Sequence, residues 1–341
     1  MTGIERANGH RPQALLRLLH PALMGAPRPK PESLPFDLNA ALDAVVGVAA
    51  EIPGDAYTAP TLGTERAGNG ALIDAEGLVV TIGYLIAEAA KVTLVTKDGE
   101  TVPAHPVGYD HVTGFGLLRA DRPLPAKPIA LGSSALVEAN DPVIVAAYGG
   151  INQAIDGRVT AKREFAGSWE YLLDEAIFTT PMHPSWGGAA LISQKDGKLV
   201  GVGSLYIQET VPGKKTSAGN MFVPIDLLLP IYDDLVSYGR PRREPRPWVG
   251  MYVAEHENQL VVTGVQPNGP SDQAGIHPGD IIMGVAGRRV GPSLAEFYRR
   301  IWSLGAAGTE VQVAIMRGGD PVRVQIRSSD RLSYMKLPRR H

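Results

Sequence analysis

Glycine and proline interrupt this chain at short intervals, and these interruptions limit what it can fold into. There are 39 glycines and 28 prolines in 341 residues, and the segments between them are short and rich in Val, Ile, Leu and Thr. Acidic-glycine pairs separate such segments at Glu76-Gly77, Asp98-Gly99 and Asp196-Gly197. Pairs of this kind are typical of tight reversals between antiparallel strands. The sequence therefore predicts a mainly β fold.

Two segments of this β-rich chain are predicted to be helices. The first covers Asn39–Ala50 and the second covers Ser293–Leu304. The Ser293 side chain is placed to accept a hydrogen bond from the first free amides of the second helix. Apolar residues at helical spacing share one face of that helix: Leu294, Phe297 and Ile301.

Charge and cysteine content exclude several classes of function. A net charge of -2 and a pI near 6.5 provide no global positive field, so neither nucleic acid nor an anionic membrane surface is an expected partner. Without cysteine the chain has no disulfides, thiol catalysis or cysteine-ligated metal. No apolar stretch approaches the ~20 residues that span a bilayer. The early apolar segment is interrupted by Arg17, His20 and Pro21, unlike a secretory signal, which predicts a cytoplasmic protein.

A change of composition divides the chain into domains. Residues 239–247 contain four arginines and three prolines and are predicted to be an extended linker. The linker separates a front domain, 36–238, from a back domain, 248–330. Residues 1–35 are proline-rich and are predicted to be a docking or oligomerisation segment, and 331–341 form a basic tail.

Three segments of the front domain resemble the HtrA (Deg) family of trypsin-fold serine proteases. Gly68–Thr81 resembles the hairpin before the family's catalytic histidine, Gly108–Asp121 the strand with its aspartate, and Thr179–Gly203 the loop with its nucleophilic serine. The resemblance implies a trypsin-like double β-barrel. The three catalytic positions of the family are occupied here by Tyr84, Gly114 and Trp186.

These replacements predict that the front domain is not a protease. A serine hydroxyl attacks an amide only when an imidazole takes its proton and a carboxylate orients the imidazole. Tyrosine, with a pKa of about 10, is a poor base at neutral pH, glycine has no side chain, and tryptophan has no nucleophile. The sequence therefore predicts a pseudoprotease without catalytic residues and without a cofactor.

Other interpretations of the cleft stay open at this point. Hydrolysis could be rewired through Ser185, which precedes Trp186. The polar residues that could assist it are Asp110, His111 and His183, and the same three together with His105 could hold a metal ion. Their spacing matches no recognised ligand signature, so no metal site is predicted. The Trp186 ring is either packed into the vacated cleft or exposed as an anchor for a partner.

The back domain resembles a bacterial PDZ domain. The motif A-G-x-x-x-G-D-x-I is present as Ala274, Gly275, Gly279, Asp280 and Ile282. In such domains a glycine-containing loop offers its amides to a peptide's terminal carboxylate, and the peptide adds a strand to the edge of the sheet. The resemblance implies that the peptide-binding residues are Trp248, Val249, Gly250, Met251, Val253, Leu294, Phe297 and Ile301.

Together these features predict a catalytically inactive adaptor or scaffold whose PDZ groove binds a protein C-terminus or an extended peptide. The family resemblance also implies a homo-oligomer, specifically a trimer. The other possibility is that the chain is a subunit of a complex. Two alternatives are an active HtrA-type endopeptidase or chaperone, and a structural subunit of a larger assembly. A further possibility is that the groove is occupied by the chain's own basic tail.

Overall fold

The computed structural model describes residues 23, 25–209 and 217–336. Most of the predicted N-terminal docking segment and the end of the basic tail lie outside the described residues. Strands dominate the rest, with a few short helices between them. The prediction of a mainly β fold, two barrels followed by a PDZ-type sheet, is confirmed.

The first barrel is closed by six antiparallel strands in the order β1-β2-β3-β6-β5-β4. The strands are β1 (Val45–Glu51), β2 (Glu65–Leu72), β3 (Leu78–Ile82), β4 (Lys91–Val95), β5 (Thr101–Tyr109) and β6 (Phe115–Ala120). Because a barrel closes on itself, no strand edge is left open. Small and β-branched side chains fill its interior, and every residue of β3 is buried.

The second barrel is closed in the order β10-β11-β12-β9-β8-β7. Its strands are β7 (Pro142–Ala146), β8 (Ala154–Gly167), β9 (Tyr171–Thr180), β10 (Ala190–Ser193), β11 (Leu199–Glu209) and β12 (Ser217–Pro224). The core of this barrel includes Val145, Ile177, Leu191 and Phe222. The three predicted acidic-glycine turns are confirmed, since they join β2 to β3, β4 to β5 and β10 to β11, with positive φ at each glycine.

The helix predicted over Asn39–Ala50 is wrong for most of its length. A helix, α1, covers only Leu38–Asp43, and its first turn is capped by the Asp37 side chain, which accepts from the Ala40 amide at 3.1 Å. From Val45 the chain is strand β1, which pairs with both β2 and β4. A short apolar run suits a buried strand as well as a buried helix, and here pairing on both edges decided the outcome. A second short helix, α2, covers Ala59–Leu62, and α3 covers Tyr232–Tyr238.

The PDZ part is a six-stranded sheet with two helices. Its strands are β13 (Met251–His256), β14 (Gln259–Val265), β15 (Ile281–Val285), β16 (Arg288–Arg289), β17 (Glu310–Arg317) and β18 (Asp320–Arg327), and its helices are α4 (Pro270–Gln273) and α5 (Leu294–Trp302). The predicted second helix is confirmed as α5, with Ser293 Oγ accepting from the Glu296 amide at 3.2 Å. The helix ends at Trp302, two residues before the predicted Leu304.

The chain separates into two compact units. The first unit contains residues up to 163 and 175–241, and the second contains 242–337 together with 164–174. The break after 241 falls within the predicted linker. The inclusion of 164–174 in the second unit was not predicted, because these residues form the connected ends of β8 and β9. In the described part of the chain, no helix has the length and apolar character needed to span a membrane.

Candidate functional site

The loop that carries Trp186 lies between β9 and β10, and backbone contacts fix its course. The Asn69 amide donates to the Gly187 carbonyl at 2.8 Å, and the Gly188 amide donates to the Gly203 carbonyl at 2.8 Å. Gly188 has a φ of +74°, and a Cβ there would lie 1.8 Å from the Asn69 carbonyl oxygen. Only glycine fits such an approach.

Asn69 ties this loop to the first barrel through its side chain. The residue is fully buried, and its Nδ2 donates to the carbonyls of Ser185 and Gly187, each at 3.0 Å. Its Oδ1 accepts from the Tyr148 amide at 2.8 Å. Both polar atoms of the side chain therefore bond to main-chain groups of the cleft. Asn69 is a positioning residue that no local sequence pattern predicts.

Tyr84 and Trp186, the predicted base and nucleophile positions, are brought together. The Tyr84 hydroxyl donates to the Ser204 carbonyl at 3.0 Å and is hydrogen-bonded to the Trp186 side chain. The Trp186 ring packs against Tyr206 with the ring centroids 5.8 Å apart. Burial raises the pKa of the Tyr84 hydroxyl well above its ordinary value. At neutral pH the hydroxyl therefore stays protonated and takes no proton from a substrate or a water.

Gly114, the third predicted position, lies next to this pair and contributes only main chain. It has a φ of +90°, and its carbonyl accepts from the Gly83 amide at 2.6 Å. Because Gly83 directly precedes Tyr84, all three positions lie around one short segment. The arrangement holds one phenol, one indole and a peptide carbonyl, with neither an imidazole nor a carboxylate among them.

The neighbouring polar residues have structural contacts of their own. His183 is fully buried; its Nδ1 accepts from the Ser185 main-chain amide at 3.0 Å, and its Nε2 donates to the Gln153 carbonyl at 3.2 Å. The lone pair that a general base would use is therefore occupied. Asp110 accepts from Val112, from the Thr113 amide and from the Thr113 hydroxyl, and so caps its own turn.

The metal interpretation gains no support from this geometry. His105 is paired with the Asp121 carboxylate at 3.1 Å on the surface, whereas His183 is buried. Within the described ranges, no three His, Cys, Asp or Glu side chains converge in a way that could hold a metal ion.

The second candidate site is the loop Trp248–Met251, which we call the carboxylate loop. Two of its carbonyls accept hydrogen bonds from neighbouring residues. The Val249 carbonyl accepts from the amide and the hydroxyl of Ser271 at 2.9 and 2.7 Å, and the Gly250 carbonyl accepts from the Gln266 amide at 2.9 Å. Gly250 has a φ of +70°, and a Cβ there would lie 3.0 Å from the Trp248 ring. This conformation leaves the successive amides of the loop pointing to one side.

Those amides converge on a side-chain carboxylate, that of Glu170. The Val249 amide donates to Glu170 Oε2 at 3.1 Å, and the amides of Gly250 and Met251 donate to Oε1 at 2.6 and 3.1 Å. Glu170 belongs to the segment 164–174, which groups with the second unit. Three amides on one carboxylate are the arrangement expected for a peptide terminus in such a loop.

The carboxyl group of Glu170 is held in a poorly solvated position. The residue is only 7% exposed, and its desolvation raises the pKa from the ordinary 4.5 to about 7. The hydrogen bonds from the three main-chain amides and the nearby Arg331 guanidinium oppose this shift, because they stabilise the charged form of the carboxyl group. Desolvation is the larger effect.

The turn around Glu170 also contacts the strand and helix that border the groove. The Val253 amide of β13 donates to the Ser168 carbonyl at 3.0 Å. The Tyr298 hydroxyl donates to the Gly167 carbonyl at 2.8 Å and accepts from the Glu170 amide at 3.1 Å. Glu170 and Tyr298 were both missed from the sequence, because their partners are 79 or more residues away along the chain.

The predicted peptide-binding residues are all buried in this unit. Trp248 is 6% exposed, and Gly250 is buried. The other six belong to one apolar cluster: Val249, Met251, Val253, Leu294, Phe297 and Ile301. The helix residue whose polar atom meets the turn is Tyr298, one position after Phe297. The assignment of the eight residues to peptide binding stays a prediction.

Two protein families match this chain, one over the barrels and one over the PDZ part. The trypsin-like peptidase domain family matches residues 68–202, and the PDZ domain family matches residues 247–327. The chain is similar to the HtrA (Deg) proteases.

Three HtrA relatives illustrate the degree of similarity. The periplasmic pH-dependent serine endoprotease DegQ of Escherichia coli is 25% identical over 274 residues, covering 77% of this chain and 59% of DegQ. The chloroplastic Protease Do-like 1 of Arabidopsis thaliana is 27% identical, covering 80% of this chain and 66% of its own length. The serine endoprotease DegS of Escherichia coli is 25% identical, covering 77% and 74%. The chain thus spans less than two thirds of the first two relatives.

A solved structure supports the fold. A variant of the HtrA-type protease AlgW with a tripeptide superposes with a TM-score of 0.51 at 20% identity, covering 86% of this chain and 96% of that one.

The predicted cytoplasmic location is wrong by this comparison. The relatives whose names state a compartment are periplasmic, as DegQ and a Haemophilus influenzae HhoA-like protease are, or chloroplastic, as Protease Do-like 1 is. An interrupted apolar segment near the start was too weak an observation to assign a compartment.

Proposed function

We propose that this HtrA-like chain is a catalytically inactive adaptor whose PDZ domain binds a peptide or protein that ends in a carboxylate. The observation that carries the proposal is the convergence of three main-chain amides, from Val249 to Met251, on one carboxylate at 2.6 to 3.1 Å. A loop that already binds this group is suited to a peptide terminus of the same chemistry.

The inactivity of the barrel is supported by the occupants of its cleft. Tyr84, Gly114 and Trp186 stand at the three positions that the family resemblance assigns to catalysis. The Tyr84 hydroxyl donates to the Ser204 carbonyl, and its burial raises its pKa, which the hydrogen bond with Trp186 opposes. These three positions hold neither a nucleophile nor a general base, the two catalytic groups that acyl transfer requires.

An active serine endopeptidase is the second candidate, because the relatives DegQ and DegS are named serine endoproteases. Cleavage of an unfolded protein by the wild-type chain would favour it. The proposed homo-oligomer, or a structural role within a complex, rests on family resemblance alone.

The peptide-binding proposal is tested with an array of short peptides that have free C-termini, probed with the full chain. We expect the bound peptides to lose at least about tenfold in affinity when their terminus is amidated, because a neutral amide forms weaker bonds to the loop. Equal binding of the acid and amide forms would refute carboxylate recognition.

A matched pair of variants locates the binding site. Gly250→Ala puts a side chain at a φ of +70° and within 3.0 Å of the Trp248 ring, whereas Gly287→Ala meets a similar φ of +73° with nothing within 4 Å. Both variants pay the same backbone cost. We expect Gly250→Ala alone to lose peptide binding, and unchanged binding by this variant would sink the loop assignment.

A further inference from the structure

The end of the β8–β9 hairpin lies in the groove that the proposed function assigns to an external peptide. We propose that the turn Gly167–Glu170 is an internal ligand of the PDZ groove, which a carboxylate-ended partner must displace before it binds. The identity of the displacing partner rests on the proposed function. The internal ligand itself is inferred from contacts within the second unit alone.

The first argument is chemical mimicry by the Glu170 side chain. Its carboxyl group takes one bond from each of three consecutive amides of the carboxylate loop. The loop carbonyls face the other way and are satisfied by Ser271 and Gln266. A peptide terminus in this loop would need the same three donors, so the two carboxylates compete for one site.

The second argument is that the turn also takes the place of a peptide backbone. Strand addition in a PDZ groove pairs the peptide's main chain with the edge of the sheet. Here the Val253 amide of β13 donates to the Ser168 carbonyl at 3.0 Å. Ser168 is two residues before Glu170, so one segment supplies both the carboxylate and the strand contact.

The third argument is that the turn is built to hold this pose. Glu170 has a φ of +58°, a conformation that a non-glycine residue rarely adopts. The Tyr298 hydroxyl bonds to both ends of the turn, and the Arg331 guanidinium donates to the Trp169 carbonyl at 3.3 Å. The Trp169 and Tyr171 rings stack with centroids 5.8 Å apart.

Apart from the Arg331 guanidinium, which faces Glu170, the charged contacts printed for the segment that carries the turn are exposed. Arg299 of α5 pairs with Glu164 at 2.6 Å and with Asp174, and its side chain is 49% exposed. Such pairs are screened by solvent and contribute little. The docked state therefore depends on the carboxylate loop, Val253, Tyr298 and Arg331.

A probe taken from the chain itself tests the internal ligand without knowledge of the natural partner. It is an N-terminally labelled peptide of the sequence TAKREFAGSWE, residues 160–170, and its binding to the full chain is followed by fluorescence polarisation. In the wild type the tethered turn acts at an effective concentration on the order of millimolar, and blocks the probe. Glu170→Ala removes the internal carboxylate and should admit it.

We expect Glu170→Ala to bind this probe at least about tenfold more tightly than the wild type, the ratio that corresponds to about 1.4 kcal/mol. Glu175→Ala is the matched control, since Glu175 is an exposed residue of the same hairpin and its substitution removes the same charge. Tyr298→Phe is a second variant, which removes one hydroxyl and leaves the buried ring. Because the probe carries the same Gly167 and Glu170 that this hydroxyl bonds, the change weakens the turn and the probe alike, and probe affinity should stay near that of the wild type. Measurable probe binding of equal affinity in the wild type, Glu170→Ala and Glu175→Ala would overturn the internal ligand.

Hydrogen exchange without any peptide separates the two proposals. In Glu170→Ala, residues 167–171 and 248–253 should both exchange faster than in the wild type and in Glu175→Ala, while the barrel strands stay protected. Unchanged exchange in both segments refutes the internal ligand, whatever the array of C-terminal peptides shows. Faster exchange in a variant that still binds neither the probe nor any array peptide leaves the docked turn standing and refutes peptide recognition.

Discussion

Raising the pH should release the Gly167–Glu170 turn, because the docked state favours a protonated Glu170. The pKa of this carboxyl group is raised by burial from 4.5 to about 7. An acid whose pKa is raised on docking binds its proton more tightly in the docked state, so docking is strongest below pH 4.5 and weakens as the pH rises to about 7. Above that value both states are ionised, and no further loss follows.

The size of the effect follows from the same shift. A rise from 4.5 to about 7 is worth about 3 kcal/mol of docking free energy between the two limits. From pH 5 to pH 8, linkage gives a fall in the docking constant of about seventyfold, with about sevenfold between pH 5 and 6, about fivefold between pH 6 and 7, and about twofold beyond. The charged or titratable groups that face Glu170 are the Tyr298 hydroxyl and the Arg331 guanidinium. Burial raises the pKa of the Tyr298 hydroxyl further above its ordinary value, so this group stays neutral in this range.

The assay is hydrogen exchange of residues 167–171 at a series of pH values, each divided by the rate in Glu170→Gln. The ratio cancels the intrinsic pH dependence of amide exchange, and the glutamine has no proton to lose. We expect the protection of the wild type relative to this variant to fall from pH 5 to pH 7 and to level off above it. A ratio that is constant, or that rises with pH, would refute the assignment of the titration to Glu170.

Two predictions concern the cleft of the barrels. Trp186→Ser should give no hydrolysis of an unfolded protein such as reduced casein, because Tyr84 and Gly114 supply neither base nor orienting carboxylate; measurable cleavage by this variant, or by the wild type, would show that the cleft has been misassigned. Asn69→Ala should lower the free energy of unfolding by about 2 to 4 kcal/mol, since it removes the buried side-chain hydrogen bonds to the Ser185 and Gly187 carbonyls and to the Tyr148 amide. Thermal and urea unfolding against Asn152→Ala, at an exposed position without positive φ, would measure this difference, and equal stability would contradict the role given to Asn69.

Local signals predicted the β architecture well. The acidic-glycine pairs at Gly77, Gly99 and Gly197 marked three hairpins, because a glycine with positive φ is a requirement of the turn itself. Ser293 likewise marked the start of α5. Each of these decisions depends on a few neighbouring residues, so the sequence contains it.

The mistakes and omissions depend on contacts between distant residues. Val45 begins a strand because β2 and β4 bond to both of its edges, and nothing within Asn39–Ala50 reports that pairing. Glu170 stands in a hairpin turn, where an acidic residue is ordinarily solvated. Its role depends on a loop about eighty residues further along the chain, which local patterns do not encode.

A chain that carries its own ligand sets a threshold for every partner alike. If the turn leaves the groove free for only a fraction of the time, each partner's apparent Kd is its intrinsic Kd divided by that fraction. The ranking of partners stays the same, while those that bind weakly fall below the concentrations at which they would be captured. Glu170 thereby acts as a filter on affinity, and a change at this one side chain would lower the threshold for all partners together.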